Sequence, residues 1–238
     1  MLKSGNTRWP SVLWMLAFAA VLLWTQSAEA HVELGKAAGF TNGFKHPWSG
    51  WDHILAMIAV GLWGAQMGAP AVWVLPVVFP MVMAFGGFLG LIRVKLPGVE
   101  YGIAHSAVLL GAMVLGDVHS KKKTFLIFAA ALVGMFGMFH GHAHGAEMEE
   151  GQSAMLYSIG FVIATGLLHA VGISIGLVHR WPVGRIALRA AGAVIALGGI
   201  YFLWEAIKGE PPAAAPQAVG TAINSGISIF GSWIASLA

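Results

Sequence analysis

The 238-residue sequence contains no cysteine, so disulfide bonds and thiolate metal sites are both excluded. Any metal must therefore bind to imidazole, carboxylate, thioether or backbone oxygen, a ligand set that favours borderline divalent cations over Cu⁺. Charged side chains are also scarce, at 10% of the residues, whereas 58% are hydrophobic. A soluble domain could not bury so much apolar surface. The composition predicts a polytopic protein embedded in the lipid bilayer.

Several motifs of other protein classes are missing as well. The formal net charge of +3 is too small to indicate nucleic-acid binding. Without a Walker A phosphate loop, the chain is not expected to hydrolyse ATP. The sequence also has neither an H-E-x-x-H zinc-protease motif nor an adjacent histidine pair, so we expect no enzymatic activity. Two alternatives remain: a membrane metalloenzyme using His140 and His144, and a membrane anchor with His105, His140 or His169 as haem ligands.

Residues 1–30 have the layout of a secretory signal peptide. Lys3 and Arg8 precede an apolar run at 12–24, and a small-x-small cleavage site follows at 28–30. The run is shorter than the roughly 20 residues that a transmembrane helix needs. We therefore predict a cleaved signal and a mature N-terminus on the exported side, with an uncleaved anchor helix as the alternative.

The rest of the chain predicts six transmembrane helices. The uncharged stretch 54–92 is too long for one span and is interrupted by a Met-Gly-Ala-Pro turn at 67–70, so it forms two helices. Four further apolar segments each have the length of one span, and they lie at 97–118, 124–144, 153–178 and 187–207. The predicted fold is an all-α bundle of six transmembrane helices in residues 31–208.

The distribution of basic residues predicts the orientation of these helices. Loops 119–123 and 179–185 carry five lysines and arginines, which the positive-inside rule places in the cytoplasm, although Arg93 and Lys95 fall on the opposite side. The start of the first span, the start of the third with Glu100 and the end of the fourth then share the exported face of the membrane.

The first polar cluster is His46-Pro47-Trp48-Ser49-Gly50-Trp51-Asp52-His53, at the mouth of the first span. A charged side chain near the bilayer centre costs roughly 2.5–3.5 kcal/mol on insertion scales, so ionisable residues in spans indicate ion pathways. If one helix includes the whole segment, His46, Gly50, His53 and Met57 lie on one stripe. Asp52, to the side of that stripe, could neutralise a cation or hold a histidine ring in place.

The second cluster, His140-Gly141-His142-Ala143-His144-Gly145-Ala146-Glu147, closes the fourth span. In a continuous helix His140, His144 and Glu147 share one face, while His142 lies about 200° from His140. Glycine tolerates unwinding, so an open backbone that turns all three rings inward is the alternative. We favour the continuous helix. The two clusters together predict a path for a divalent metal through the bundle.

The two motifs resemble those of the HupE/UreJ family of nickel and cobalt permeases, and the likeness covers about residues 30–207. The resemblance implies an inner-membrane protein that takes up Ni²⁺ or Co²⁺ by secondary transport, with no tightly bound cofactor. It also implies a metal-supply pathway to a hydrogenase, a urease or cobalamin. By the same resemblance the metal-binding role passes to eight residues: His46, Asp52, His53, Glu100, His140, His142, His144 and Glu147.

The C-terminal residues 209–238 depart from that family pattern. Residues 209–220 form a Pro/Ala-rich linker, and apolar residues from Ile223 to Leu237 then recur with helical spacing. We predict an uncharged amphipathic helix that lies at the membrane interface or packs on the bundle, with a seventh span as the alternative.

Overall fold

The computed structural model describes residues 34–148 and 151–209. Within these ranges the regular structure is helical, with no strand. Two short 3₁₀ turns, His46–Trp48 and Leu177–Arg180, accompany seven α-helices. The helices are α1 (Leu34–Lys45), α2 (Trp51–Met67), α3 (Ala71–Leu91), α4 (Val99–Leu115), α5 (Lys123–Glu147), α6 (Ala154–Gly176) and α7 (Pro182–Lys208). The predicted signal peptide and the predicted C-terminal amphipathic helix lie outside the described residues.

The lengths and composition of the helices are those of a multi-pass membrane protein. Among the described residues, four helical segments are long and apolar enough to cross a bilayer: α3, α5, α6 with its following turn, and α7. Helix α4 is apolar but shorter. Each of the six predicted segments corresponds to one helix from α2 to α7, because the apolar runs and the glycine and proline turns that separate them are strong local signals. Gly68 ends α2 with φ of 73°, a conformation that glycine adopts without strain.

Three sequence expectations need correction. Helix α1 was not expected, because its residues show little apolar periodicity. The first span does not include His46: the chain makes a 3₁₀ turn, Gly50 is extended at φ −117° and ψ 131°, and α2 begins at Trp51. His46 and His53 therefore do not share one helical stripe. Helix α7 begins five residues earlier than expected, at Pro182, since proline suits the first turn of a helix.

Helix α2 lies at the centre of the bundle. Of its 17 residues 14 are buried, including Met57, Leu62 and Trp63. The indole of Trp63 donates a hydrogen bond to the Val118 carbonyl at 2.7 Å, and the Gln66 amide donates one to the Val114 carbonyl at 3.1 Å. These bonds fix α2 against the end of α4, so the side chains at the start of α2 are held inside the bundle.

Glycines bring the helix backbones into direct contact. A Cβ on Gly141 of α5 would overlap the Met83 carbonyl of α3, and one on Gly61 of α2 would overlap the His169 carbonyl of α6. Such small-residue contacts are the usual means of close helix association in membranes. They bring α3 close to α5 and α2 close to α6, so that side chains of these helices can touch.

Replacing Gly141 by alanine should therefore destabilise the α3–α5 contact. Forcing a methyl group into a packed core costs about 1–3 kcal/mol, so we expect a melting temperature several degrees lower and reduced membrane abundance. The matched control is Gly166→Ala, because a Cβ on that helical glycine of α6 meets nothing within 4 Å. Thermal melting of both purified variants tests the contact, and equal effects would contradict it.

Candidate metal centre

Three histidines from three separate elements converge at one end of the bundle. His46 comes from the 3₁₀ turn, His53 from the first turn of α2 and His144 from the last turn of α5. One ring nitrogen of each lies within 4.8 Å of those of the others. The ring centroids are 4.3 Å apart for His46 and His144, and 4.6 Å apart for His53 and His144. We call these residues the three-histidine cluster.

The cluster has nearly the dimensions of a metal site. Two imidazole nitrogens bound to one ion at about 2.1 Å lie roughly 3–3.4 Å from each other in the usual geometries. Since the nitrogens lie within 4.8 Å of one another, they would need to approach by up to roughly 1.4–1.8 Å to share an ion. Neither ring nitrogen of His144 has a hydrogen-bond partner among the described residues, which leaves its lone pair available.

Asp52 positions the ring of His53. Its Oδ1 lies 2.8 Å from His53 Nδ1, and both residues are buried. The carboxylate thus favours the tautomer that leaves Nε2 free for a metal, as carboxylates do behind many histidine ligands. Gly50 permits this arrangement, because a Cβ there would overlap Asp52 Oδ1. This contact is the one that the positioning role expected for Asp52 would require.

His140 lies one helical turn below His144 and is fully buried. Its Nδ1–H donates a hydrogen bond to the Phe136 carbonyl at 3.0 Å, so the unprotonated nitrogen is Nε2. No described residue hydrogen-bonds to that Nε2. The ring centroids of His140 and His53 are 5.0 Å apart, which makes His140 the next available ligand beneath the cluster.

Two features of His46 suit it to metal capture. Glu147 Oε2 lies 3.8 Å from its Nε2, so a carboxylate stands beside the cluster at its solvent side. Burial, followed by the proximity of His53, lowers the pKa of His46 to about 4. The ring is therefore neutral at physiological pH and does not need to lose a proton before it binds a cation.

Two of the predicted ligands lie apart from the cluster. His142 points away from it, and its Nε2–H donates a hydrogen bond to the Val94 carbonyl at 2.6 Å. Glu100, at the start of α4, instead borders a small cavity with Asp52. The structure therefore brings together His46, Asp52, His53, His140, His144 and Glu147, with Glu100 beside Asp52, and leaves His142 apart from them.

Glu205 was not expected from the sequence analysis. It lies near the end of α7, is 8% exposed, and lines the same small cavity as Asp52 and Glu100. The Tyr201 hydroxyl donates a hydrogen bond to its Oε1, whereas Oε2 is buried with no hydrogen-bond partner in 34–148 or 151–209. The sequence did contain one signal for Glu205. It is the only acidic residue in the apolar segment 187–207, and acidic residues in spans are rarely incidental.

A larger cavity reaches the cluster from the side. It has a volume of about 220 Å³ and lies among α3, α5 and α6. His144 and Tyr157 contribute polar atoms to walls that are otherwise mostly apolar. This cavity gives His144 the space in which a ligand could reach it.

Comparison with known proteins supports the family expected from the two motifs. The family model described as HupE / UreJ protein matches residues 19–202. This range includes all eight predicted metal ligands but not Glu205. The chain belongs to the HupE/UreJ family. Protein HupE of Rhizobium leguminosarum bv. viciae is 42% identical to this HupE/UreJ chain over 184 residues, or 77% of the chain and 94% of that protein. No solved structure matches it.

Proposed function

We propose that this HupE/UreJ protein is a secondary transporter that carries Ni²⁺, or else Co²⁺, across the bacterial inner membrane into the cell. The observation that carries the proposal is the three-histidine cluster at one end of an apolar helical bundle. Clusters of unpaired imidazoles are costly in such surroundings and are retained where they bind a ligand. A transported cation is the ligand that matches their chemistry.

The residues around the cluster suggest how the ion is taken up. Glu147, at the exposed end of α5, would attract a hydrated cation toward His46. The ion would then exchange water for the nitrogens of His46, His53 and His144, while Asp52 holds His53 and neutralises part of the charge. His140 provides the next imidazole inward. Each step replaces one ligand by another, so the ion need not be bare in the apolar interior.

The preference for nickel and cobalt comes from the family and not from the ligands. Imidazole and carboxylate also bind Cu²⁺ and Zn²⁺, and intrinsic affinity rises through nickel to copper. We propose Ni²⁺ as the main substrate and Co²⁺ as the second, for delivery to hydrogenase, urease or cobalamin assembly. Nickel-dependent assembly would thus be the process that this transporter supports.

The proposed orientation places the cluster on the exported side. All six helices from α2 to α7 would cross the membrane, with the mature N-terminus outside and the basic loops 119–123 and 179–185 in the cytoplasm. The starts of α2 and α4 and the end of α5 lie at one end of the bundle, as this topology requires. The cluster then faces the compartment from which metal is captured.

A haem anchor is less compatible with the site. The ring of Phe79 contacts two of the candidate haem ligands, with its centroid 5.4 Å from both His140 and His169. A porphyrin bound by both residues would have to displace this ring. An absorption spectrum of the purified protein checks this, because a haem Soret band would contradict the transport proposal.

Uptake of radioactive nickel tests the proposed function directly. Cells that express the full chain should accumulate ⁶³Ni²⁺ several-fold faster than cells that do not, and excess Co²⁺ should reduce the rate. An epitope tag without histidine avoids a foreign metal site. Equal uptake with and without the chain would refute the proposal, and reporter fusions that place residues 140–147 in the cytoplasm would refute the orientation.

A further inference from the structure

His169 is a buried imidazole that the three-histidine cluster does not include. It lies on α6, is 1% exposed, and neither ring nitrogen has a hydrogen-bond partner within the described part of the chain. Buried polar side chains nearly always have such a partner, so an imidazole without one needs an explanation. The sequence left open whether His169 forms a hydrogen bond between helices or binds a ligand. The unpaired ring favours the ligand.

Two oxygen atoms accompany this ring. Thr165 is one helical turn before His169 on the same face, is fully buried, and its hydroxyl also has no partner among the residues described. The Pro76 carbonyl of α3 lies close enough to the imidazole for a weak backbone contact, although the contact lacks ideal hydrogen-bond geometry. Pro80 has no N–H, so it cannot supply the helical hydrogen bond that this carbonyl would normally accept. The imidazole thus has only this weak contact within the described ranges, and the Thr165 hydroxyl beside it has no partner there.

The position of His169 continues the line of imidazoles inward. Phe161 of α6 contacts His144 at the level of the cluster, with ring centroids 4.3 Å apart. His169 follows eight residues later, which is about 12 Å further along the helix. The Phe79 ring contacts both His140 and His169, with ring centroids 5.4 Å apart in each case. His169 and His140 therefore share one aromatic neighbour.

We propose that His169, with the Thr165 hydroxyl and the Pro76 carbonyl, forms a second binding station for the transported divalent cation, reached from His140 past the ring of Phe79. The station rests on the proposed function, because it assumes that the ion bound by the cluster moves inward. With one imidazole and two neutral oxygens it binds more weakly than the cluster. A weaker second site is what passage requires, since the ion must also leave.

Binding stoichiometry tests the station without relying on transport. The full chain, purified in detergent with a histidine-free tag, is dialysed to equilibrium against Co²⁺ alone. We expect two ions per chain for the wild type, one tighter and one weaker, but a single ion for His169→Ala. The control His105→Ala should bind two, because the His105 ring is exposed and hydrogen-bonds its own helix at the Tyr101 carbonyl. Equal numbers of ions and equal affinities for wild type and His169→Ala would overturn the station.

Uptake measurements separate this inference from the proposed function. At matched abundance, His169→Ala should lower initial ⁶³Ni²⁺ uptake at least tenfold while the tighter Co²⁺ site keeps its affinity within twofold. A wild-type chain that binds two ions but takes up none would refute transport and support the station. Normal uptake with unchanged binding in His169→Ala would refute only the station.

Two further variants test whether misfolding, and not the loss of a ligand, explains the loss of the second ion. His169→Phe keeps the ring volume and should also lose the weaker ion. Thr165→Val keeps the shape of the side chain and removes only the hydroxyl, so it should weaken the second Co²⁺ affinity at least threefold. If Thr165→Val leaves the second Co²⁺ affinity unchanged, the Thr165 hydroxyl is not a ligand of the station. Two ions bound by His169→Phe would overturn the station itself.

Discussion

Replacing His53 by alanine should abolish Ni²⁺ uptake while the protein stays in the membrane at normal abundance. His53 contacts more of the metal centre than any other predicted ligand: its ring lies 4.6 Å from that of His144, 5.0 Å from that of His140 and 6.1 Å from that of His46. Its loss breaks the cluster and the connection from the cluster to His140. We expect a reduction in initial uptake of at least tenfold.

The protein should nevertheless fold without this ring. The helix contacts depend on glycine backbones and on the apolar core of α2, neither of which involves the imidazole. Removing the ring leaves the buried Asp52 carboxylate without its 2.8 Å contact to His53 Nδ1, a local loss at the start of α2 that does not break those helix contacts. The insertion of α2 into the membrane therefore does not depend on His53, and a stability loss large enough to clear the protein from the membrane is not expected.

The matched control is His105→Ala, which removes a histidine from a neighbouring helix outside the centre. The two variants are compared by initial ⁶³Ni²⁺ uptake, with membrane abundance measured by immunoblot against a histidine-free tag. If His53→Ala transports at the wild-type rate at equal abundance, α2 does not line the metal path. The initial uptake of Asp52→Asn should lie between those of His53→Ala and His105→Ala, because asparagine can still hold His53 but lacks the negative charge.

Local sequence signals predicted the helices well but not their junctions. The uncharged runs and the turn at 67–70 define α2 and α3, because apolar length and glycine or proline act within a few residues. The break between His46 and α2 could not be read in the same way. It depends on Gly50 adopting an extended backbone so that Asp52 can approach His53, and that close approach is a tertiary contact.

In the candidate site, too, the sequence predicted what one helix determines and missed what depends on contacts between helices. On α5 the helical period separated His142 from His140 and His144, since one regular helix fixes all three directions. No spacing rule indicated that His46 would contact His144, which is 98 residues away in the sequence. Glu205 was overlooked for a related reason: its neighbours Asp52 and Glu100 come from other helices, and only the packed bundle places them at one cavity.

The three histidines of α5 should differ in their importance for transport. Because α5 is a continuous helix from Lys123 to Glu147, His140 and His144 face the metal centre, while the ring of His142 is hydrogen-bonded to the Val94 carbonyl. We expect His140→Ala and His144→Ala to reduce Ni²⁺ uptake at least tenfold. His142→Ala should reduce it by no more than about threefold, because it removes one contact between α5 and the segment after α3.

Initial ⁶³Ni²⁺ uptake of the three single variants, corrected for membrane abundance, decides between the two arrangements of α5. If the segment unwinds during transport and all three rings bind the ion, the three defects should be equally deep. A second measurement separates a structural effect from a lost ligand: His142→Gln can still donate a hydrogen bond to Val94 and should recover near-normal uptake, whereas His144→Gln should not, since an amide is a poor substitute for imidazole as a nickel ligand. A deep defect in both glutamine variants would show that His142 binds the metal and that α5 opens as the ion passes.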